Sequence, residues 1–184
     1  MRKNYKVGIV AMAAVATLAL TTMPALAQEN TATTFDVAAG TLDLSVPATA
    51  DLGSGDGGTT ITAQLGAVTV DDTRAAADAS WDATVEGTDF ETDDGGDPSE
   101  IIDVTSIDYW SGAATATTGN GTFTPGQPLA ENAVALSDVT PVTAFSHDGG
   151  TGSNSATWNP TLDVNVPLAN VAGTYTGTVT HSVA

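Results

Sequence analysis

Short alternating runs of apolar and polar residues constrain the fold of this chain more than any other feature. The runs are rich in Thr and Val and are separated by Gly, Asp, Asn and Pro. In TLDVNV, Leu162 and Val164 share one side of an extended chain, whereas Asp163 and Asn165 share the other. This period of two in β-branched residues is typical of half-buried antiparallel strands. No run has the 3.6-residue apolar spacing of a helix, and RAAADA (74–79) is expected to be a loop.

The number and spacing of these runs predict an all-β fold. Several short strands with turn signals between them are typical of a β-sandwich or a barrel. The chain contains no cysteine, so apolar burial and a complete hydrogen-bond ladder must hold the strands together. The Gly- and Asp-rich segments 53–58, 93–97 and 147–155 are expected to be loops. Strands are expected within residues 34–46, 59–65, 68–71, 81–86, 101–107, 133–136, 142–145, 161–166 and 174–183.

The first residues have the pattern of a secretory signal peptide. A basic start (MRKNYK) precedes an apolar stretch over residues 7–20, and the MPALA that follows ends in small residues before Gln28. The apolar stretch is shorter than the ~20 residues that a membrane-spanning helix needs. We therefore predict a cleaved signal peptide, 1–27, and one secreted domain, 28–184, with no membrane span.

The charge of the chain excludes one class of partner. The formal charge is −18 at pH 7, from 22 acidic and 4 basic residues. Cleavage of the signal peptide would remove every basic residue except Arg74. Because binding to nucleic acid depends on Lys and Arg that neutralise phosphates, we exclude nucleic acid as a partner.

The sequence contains no specific catalytic pattern. Its two histidines are His147, expected in a solvated Gly-rich loop, and His181, expected on one face of the last strand. There is no G-x-S-x-G around a nucleophile and no H-E-x-x-H for zinc. A glycosidase needs only two placed carboxylates, but acids are so abundant here that no pair stands out. We expect a protein that is not an enzyme and that has no catalytic residues.

The acidic run DFETDDGGDPSE (89–100) is the best candidate for a metal site. Five of its six acidic side chains occupy positions 1, 3, 5, 9 and 12 of a twelve-residue loop, as in an EF-hand. Position 6 is Asp94 rather than the glycine of an EF-hand, and no flanking helices are predicted. The alternative is a hydrated hairpin loop whose charge protects a sheet edge from aggregation. The candidate Ca²⁺ ligands are Asp89, Glu91, Asp93, Asp97 and Glu100.

The three tryptophans are prominent in a chain with only 5% aromatic residues. Trp81 and Trp158 each stand at or near a predicted strand, so we expect both to be buried in the core. Trp110 follows Tyr109 and precedes a predicted loop of small residues, SGAATATTGNG (111–121), so we expect it to be exposed. An exposed tryptophan on a secreted protein is suited to binding sugars or protein partners.

Two blocks of sequence carry a resemblance to a known family. In LGAVTVDDTRA and SWDATVEGTDF (within 65–90), a V-x-D-x-R-like strand and loop precede a strand that starts with Trp81. In TWNPTLDVNVPLANVAGTYTGTVTHSVA (157–184), a V-P pair, a G-x-Y triplet and a V-T pair follow one another before the end of the chain. The order of the blocks resembles that of WxL-domain surface proteins, above all the WxL-like proteins of actinobacteria.

The pattern and the resemblance together predict a single Ig-like antiparallel β-sandwich on the bacterial surface. In the WxL family, two W-x-L motifs are associated with non-covalent attachment to peptidoglycan. The resemblance places that binding role on Trp81 (WDA) and on His181 (HSV), which stands at the second tryptophan position. We expect a structural or adhesive protein whose partner is cell-wall glycan. The alternative is a calcium-stabilised subunit of an extracellular assembly that binds other surface proteins.

Overall fold

The computed structural model describes residues 29–92 and 96–184. The predicted signal peptide lies outside the described residues, as does Asp93 of the acidic run. Contacts along the chain divide it into two units, Met1–Phe35 and Asp36–Ala184. In the first unit, residues 29–35 have no regular secondary structure, and the strands of the described residues lie in the second unit.

The described residues form an all-β fold, which confirms the predicted class. Each pair of neighbouring strands is antiparallel. Three single-turn 3-10 helices lie at Pro98–Glu100, Val104–Ser106 and Ala130–Asn132. The strands are β1 (Leu42–Ser45), β2 (Thr60–Gln64), β3 (Val68–Ala76), β4 (Trp81–Gly87), β5 (Phe90–Glu91), β6 (Ile101–Ile102), β7 (Ile107–Trp110), β8 (Ala114–Thr118), β9 (Thr122–Pro125), β10 (Val134–Ala135), β11 (Val142–Asp148), β12 (Gly152–Trp158), β13 (Thr161–Asn165) and β14 (Val179–Val183).

Two four-stranded sheets join into one bent sheet. Their strand orders are β10-β7-β13-β2 and β8-β12-β3-β1. Strands β2 and β3, β7 and β8, and β12 and β13 are consecutive in the chain, so three neighbouring strands each cross from one sheet to the other. Gly66 and Gly112 make two of the crossings with positive φ angles of 96° and 70°, which only glycine adopts readily. The third crossing contains Pro160, which has no N–H to continue the ladder.

The third sheet, β14-β4-β11-β9, packs against the inner face of the bent sheet. Phe145 on β11 stacks on Trp158 of β12 with ring centroids 4.9 Å apart. The side chains from both layers form one apolar core, and this arrangement is consistent with the predicted Ig-like β-sandwich.

Three predicted loops are strands in the structure. Arg74 and the alanine pair that follows it continue β3, and the segment 111–121 contains β8. The predicted connector 147–155 contains most of β12, which lies between β3 and β8. Small and polar residues give these strands little apolar alternation, and pairing with neighbouring strands determines their structure instead.

His147 is buried in β11, so the prediction of a solvated loop histidine is wrong. Its Nδ1 lies 2.8 Å from the carbonyl oxygen of Ala79, and its Nε2 lies 2.8 Å from that of Asn120. The ring stacks on Phe123 with centroids 4.4 Å apart. Because alternation along β11 directs Phe145 and His147 to the same inner face, the histidine replaces an apolar core residue and connects two loops.

Candidate functional site

Of the three tryptophans, Trp110 presents surface to solvent. Trp81 is 3% exposed and Trp158 is 0% exposed, which confirms the expected burial of both. Trp110 is partly exposed because it follows the buried Tyr109 on β7 and therefore points to the outer side of the bent sheet. A ligand could reach Trp81 only if the core opened, whereas it could reach Trp110 on the folded protein.

Trp110 lies at one end of a polar surface that we call the outer face. The outer face consists of the outward side chains of β2, β13 and β7, whose register places them side by side. Asn165 donates a hydrogen bond from Nδ2 to Asp108 at 3.0 Å and accepts one from Thr60 Oγ1 at 2.8 Å. Next to this pair, Thr62 donates to Asp163 Oδ1 at 2.5 Å. The outer face consists of Thr60, Thr62, Gln64, Asp108, Trp110, Asp163 and Asn165.

The outer face has the chemistry of a sugar-binding surface. An indole stacks on the apolar face of a sugar ring, and because the indole is rigid the contact costs little conformational entropy. Amides, carboxylates and threonine hydroxyls can hydrogen-bond to sugar hydroxyls. The strand pairing holds these groups on one side of a single sheet, so they are arranged before a ligand arrives.

A second polar group joins the residues of the V-x-D-x-R-like block. Arg74 donates from Nε to Asp72 Oδ1 at 2.9 Å and from Nη2 to Oδ2 at 2.8 Å. Asn154 on β12 donates to the same Asp72 at 3.3 Å and accepts from Trp81 Nε1 at 2.7 Å. Arg74 also donates to the carbonyl of Ser80 at 2.9 Å, which closes the turn before β4. We call Asp72, Arg74, Asn154 and Trp81 the buried network.

The buried network determines the protonation of Asp72. The Asp72 side chain is fully buried, and hydrogen bonds from Arg74 hold the pKa of its carboxyl below the ordinary value. The pKa of Arg74 is raised by the same hydrogen bonds, so the pair stays ionised. Asn154, in the middle of the network, was absent from the sequence-based candidates because it lies in a segment that was predicted to be a connector.

His181 lies at the interface between the two layers. Its Nε2 is 3.1 Å from the hydroxyl of Tyr109, and Trp158 Nε1 donates to the same hydroxyl at 3.4 Å. Burial lowers the pKa of His181 to about 4 and raises that of Tyr109 above its ordinary value. At neutral pH both side chains are therefore uncharged. The tyrosine hydroxyl accepts from Trp158 and is best satisfied by donating to His181, which then carries its proton on Nδ1.

A cavity of about 960 Å³ extends from His181 along the segment that leads into β14. Leu162, Val164 and Phe90 contribute to its apolar floor. Its rim is formed by the loop 46–57 and by the segment 170–178, which are rich in Gly, Thr and Asp. The cavity has a size that is typical of binding sites, and it combines an apolar floor with a polar rim.

The three residues predicted to bind a ligand do not come together. Trp81 packs beside Phe145 and His147, with ring centroids 6.4 Å and 5.8 Å away. His181 pairs with Val85, four residues farther along β4, and its ring contacts come from Tyr109 and Trp158. Trp110 lies on the outer side of the bent sheet, away from the core that contains Trp81 and from the ring contacts of His181. The structure therefore separates the predicted residues into the buried network, the cavity and the outer face.

The acidic run forms a hairpin connection between β5 and β6, in which Glu91 pairs with Ile101. Asp89 accepts a hydrogen bond from the backbone N–H of Val104 at 2.7 Å, and Glu100 accepts one from that of Asp97 at 3.1 Å. In residues 29–92 and 96–184, no three His, Asp or Glu side chains are grouped as metal ligands would be. The described members of the run thus contribute to the hairpin through these hydrogen bonds, and the Ca²⁺ site stays a prediction.

No helix in the described parts of the chain has the length and apolar character needed to cross a membrane. A scan against protein-family models finds no match for the chain. Searches of curated proteins and of solved structures also find none. The resemblance to WxL-domain proteins therefore stays a prediction.

Proposed function

We propose that this protein is a non-catalytic surface protein that is secreted and binds cell-wall glycan through its outer face. The observation that carries the proposal is the position of Trp110, a partly exposed indole on a sheet surface of hydroxyls, amides and carboxylates. Such a surface binds by stacking and hydrogen bonding and has no need of a nucleophile or a metal.

The buried network supports the same proposal. Asp72, Arg74 and Trp81 come from the block that resembles WxL-domain proteins, and in the fold they belong to one set of hydrogen bonds with Asn154. Residues that recur together in a family because they stabilise one turn would be expected to contact one another in this way. The peptidoglycan partner of that family is thus a reasonable first ligand to test. Binding itself is assigned to Trp110 rather than to the buried Trp81.

We expect the protein to sediment with isolated bacterial cell walls and the variant Trp110→Ala to bind about ten-fold more weakly. Loss of an aromatic anchor costs ~1–2 kcal/mol of binding free energy, and 1.4 kcal/mol corresponds to a factor of ten. The measurement is the bound fraction against wall concentration, with circular dichroism to verify the fold. Asn165→Ala, which removes an exposed hydrogen-bonding side chain, is a milder second variant.

Phe35→Ala is the matched control, because Phe35 is an exposed aromatic residue that is not part of the outer face. It should bind walls as the unchanged protein does. If neither the protein nor its variants sediment with walls, the glycan proposal is wrong. If Trp110→Ala and Phe35→Ala weaken binding equally, the outer face is not the site.

A second candidate function is that of a subunit in an extracellular protein assembly, and one observation favours it. Strand β14 pairs only with β4 among the described strands and is therefore an edge strand, next to the large cavity. Open edges are where a further strand can be added. In this second candidate function, the subunit would also be stabilised by bound calcium. Calorimetry with Ca²⁺ would test it, and the absence of heat at millimolar ion would end it.

A further inference from the structure

We propose that the glycan unit bound by the outer face is an amino sugar whose amino group is free and positively charged. The ammonium group would lie between Asp108 and Asp163, and the sugar ring would stack on Trp110. The inference rests on the proposed binding of cell-wall glycan and adds the charge of the ligand to it. It follows from the strand register, the charges of the chain and the hydrogen bonds on the outer face.

Two carboxylates stand directly opposite each other on the outer face. Asp163 of β13 pairs with Asp108 of β7 in the antiparallel register, and both residues are half-buried. Side chains that oppose each other in this way have Cβ atoms about 5 Å apart, and like charges at this separation destabilise a sheet. A positive charge between the two carboxylates would therefore remove a repulsion that the unliganded sheet carries.

The described part of the chain supplies no positive side chain to this pair. Three of the four Lys and Arg residues lie in the first six positions, and the fourth, Arg74, donates to Asp72 in the buried network. Both histidines lie between the layers of the sandwich and not on the outer face. A positive charge that neutralises the pair thus has to come from outside the described chain.

Each carboxylate of the pair has one oxygen that is already bonded and one that is free. Asn165 Nδ2 donates to Asp108 Oδ2 at 3.0 Å, and Thr62 Oγ1 donates to Asp163 Oδ1 at 2.5 Å. The hydrogen bonds of the described residues leave Asp108 Oδ1 and Asp163 Oδ2 without a donor. An ammonium group has three N–H donors and no acceptor, so it can bond to both free oxygens at once.

Trp110 places an apolar surface beside the carboxylates. It follows Asp108 by two positions on β7, so both side chains point outward, about 7 Å apart along the strand. A sugar ring stacked on the indole can direct a ring substituent toward the carboxylates at this separation. An ammonium group within about 6 Å of the indole is also attracted by the electron-rich face of the ring. The ring and the carboxylates therefore select a ligand that is apolar on one side and cationic beside it.

Two related ligands lack part of this complementarity. An N-acetylated sugar has an uncharged amide with one N–H donor in place of the ammonium group, so the repulsion between the carboxylates remains. A lysine side chain has the ammonium group but has no sugar ring to stack on the indole. The formal charge of −18 attracts every cation to the protein, so the ring is what distinguishes the amino sugar from other cations.

The test compares three short ligands on the full secreted chain by calorimetry, at low salt and at a pH where amines are protonated and carboxylates are ionised. The ligands are a trimer of glucosamine, the same trimer with its amines N-acetylated, and trilysine. We expect the glucosamine trimer to bind about ten-fold more tightly than either of the others, since two exposed ion pairs together contribute about one factor of ten.

The variant Asp108→Asn combined with Asp163→Asn removes both charges. Each asparagine keeps a side-chain oxygen that can accept the hydrogen bond from Asn165 or Thr62, so the fold is expected to persist, with circular dichroism to verify it. This double variant should bind the glucosamine trimer about ten-fold more weakly. Its affinity for the N-acetylated trimer should not fall.

Asp43→Asn combined with Asp71→Asn is the matched control. Asp43 of β1 and Asp71 of β3 also oppose each other and are exposed, but no tryptophan stands on either strand. The control therefore removes the same charge in the same geometry, away from Trp110. It should bind the glucosamine trimer within about two-fold of the unchanged protein, because only the general attraction of the surface is reduced.

The outcomes separate this inference from the proposed function. If the control weakens binding as much as the outer-face variant does, the whole acidic surface attracts the ligand and the inference is wrong. It is also wrong if the N-acetylated trimer or trilysine binds as tightly as the glucosamine trimer. In either case, weaker sedimentation of Trp110→Ala with cell walls would leave glycan binding in place. If neither trimer binds and the protein does not sediment with walls, both proposals are wrong.

Discussion

Replacement of Asp72 by alanine is expected to lower the free energy of unfolding by about 3 kcal/mol. The change removes both carboxylate acceptors of the Arg74 guanidinium, which keeps its hydrogen bond to the carbonyl of Ser80. It also leaves the Asn154 amide with one partner fewer. Breaking a buried ion pair by removing one partner typically costs ~3–5 kcal/mol. The Arg74 side chain is 34% exposed and can regain water, which places the expected cost at the lower end of that range. Urea unfolding followed by tryptophan fluorescence measures the effect.

Asp71→Ala is the matched control, because Asp71 is the preceding residue on β3 and its side chain is exposed. Its effect should stay within ~0.5 kcal/mol, as for most surface substitutions. The pH dependence provides a second readout. Because the pKa of Asp72 is lowered in the fold, its contribution is present above the ordinary carboxyl pKa and is lost as the pH falls below it. The Asp72→Ala variant should lack that part of the acid dependence. Equal destabilisation by the two substitutions would contradict the role of the buried network.

The sequence predicted the strands that alternate clearly and missed those that do not. TLDVNV became β13, because its apolar side alone could face the core. Strand β12 (GSNSATW) has one large apolar residue, Trp158, and was predicted to belong mostly to a connector. It is nevertheless a central strand, since β3 and β8 satisfy its backbone on both sides. The information that makes it a strand lies in its neighbours, and a local pattern does not contain it.

The same limit applies to the site. The burial of Trp81 and Trp158 followed from their positions in strands. Trp110 was predicted to be exposed, and it is partly exposed in the structure. The sequence could not place Asn165 next to Asp108, because these residues are 57 positions apart and meet through the order of strands in the sheet. Nor could it indicate that Asn154 would connect Asp72 with Trp81. Contacts between residues so far apart in the sequence depend on the order of strands in the sheets. The family resemblance predicted a class of fold and did not predict that order.

Between pH 6.5 and pH 4, His181 is expected to make the protein about 3 kcal/mol less stable. Burial lowers the pKa of His181 from the ordinary 6.5 to about 4. In this interval the unfolded chain binds a proton that the folded protein does not, so the free energy of unfolding falls as the pH falls. One pKa unit corresponds to ~1.4 kcal/mol, which gives the stated magnitude. Neutral His181 contributes fully to the free energy of unfolding above pH 6.5, and most of this contribution is lost by pH 4. Below pH 4 the contribution changes little.

His181→Gln isolates this contribution, because the amide oxygen can still accept a hydrogen bond from Tyr109 but does not titrate. Urea unfolding of both proteins at several pH values gives two curves, and their difference cancels the groups that the proteins share. We expect the difference to change by about 3 kcal/mol between pH 7 and pH 4, in favour of the variant at low pH. Parallel curves would contradict the prediction. They would mean that water in the cavity beside β14 reaches the His181 ring in the folded protein, so that burial against Tyr109 and Trp158 does not lower the pKa of the histidine.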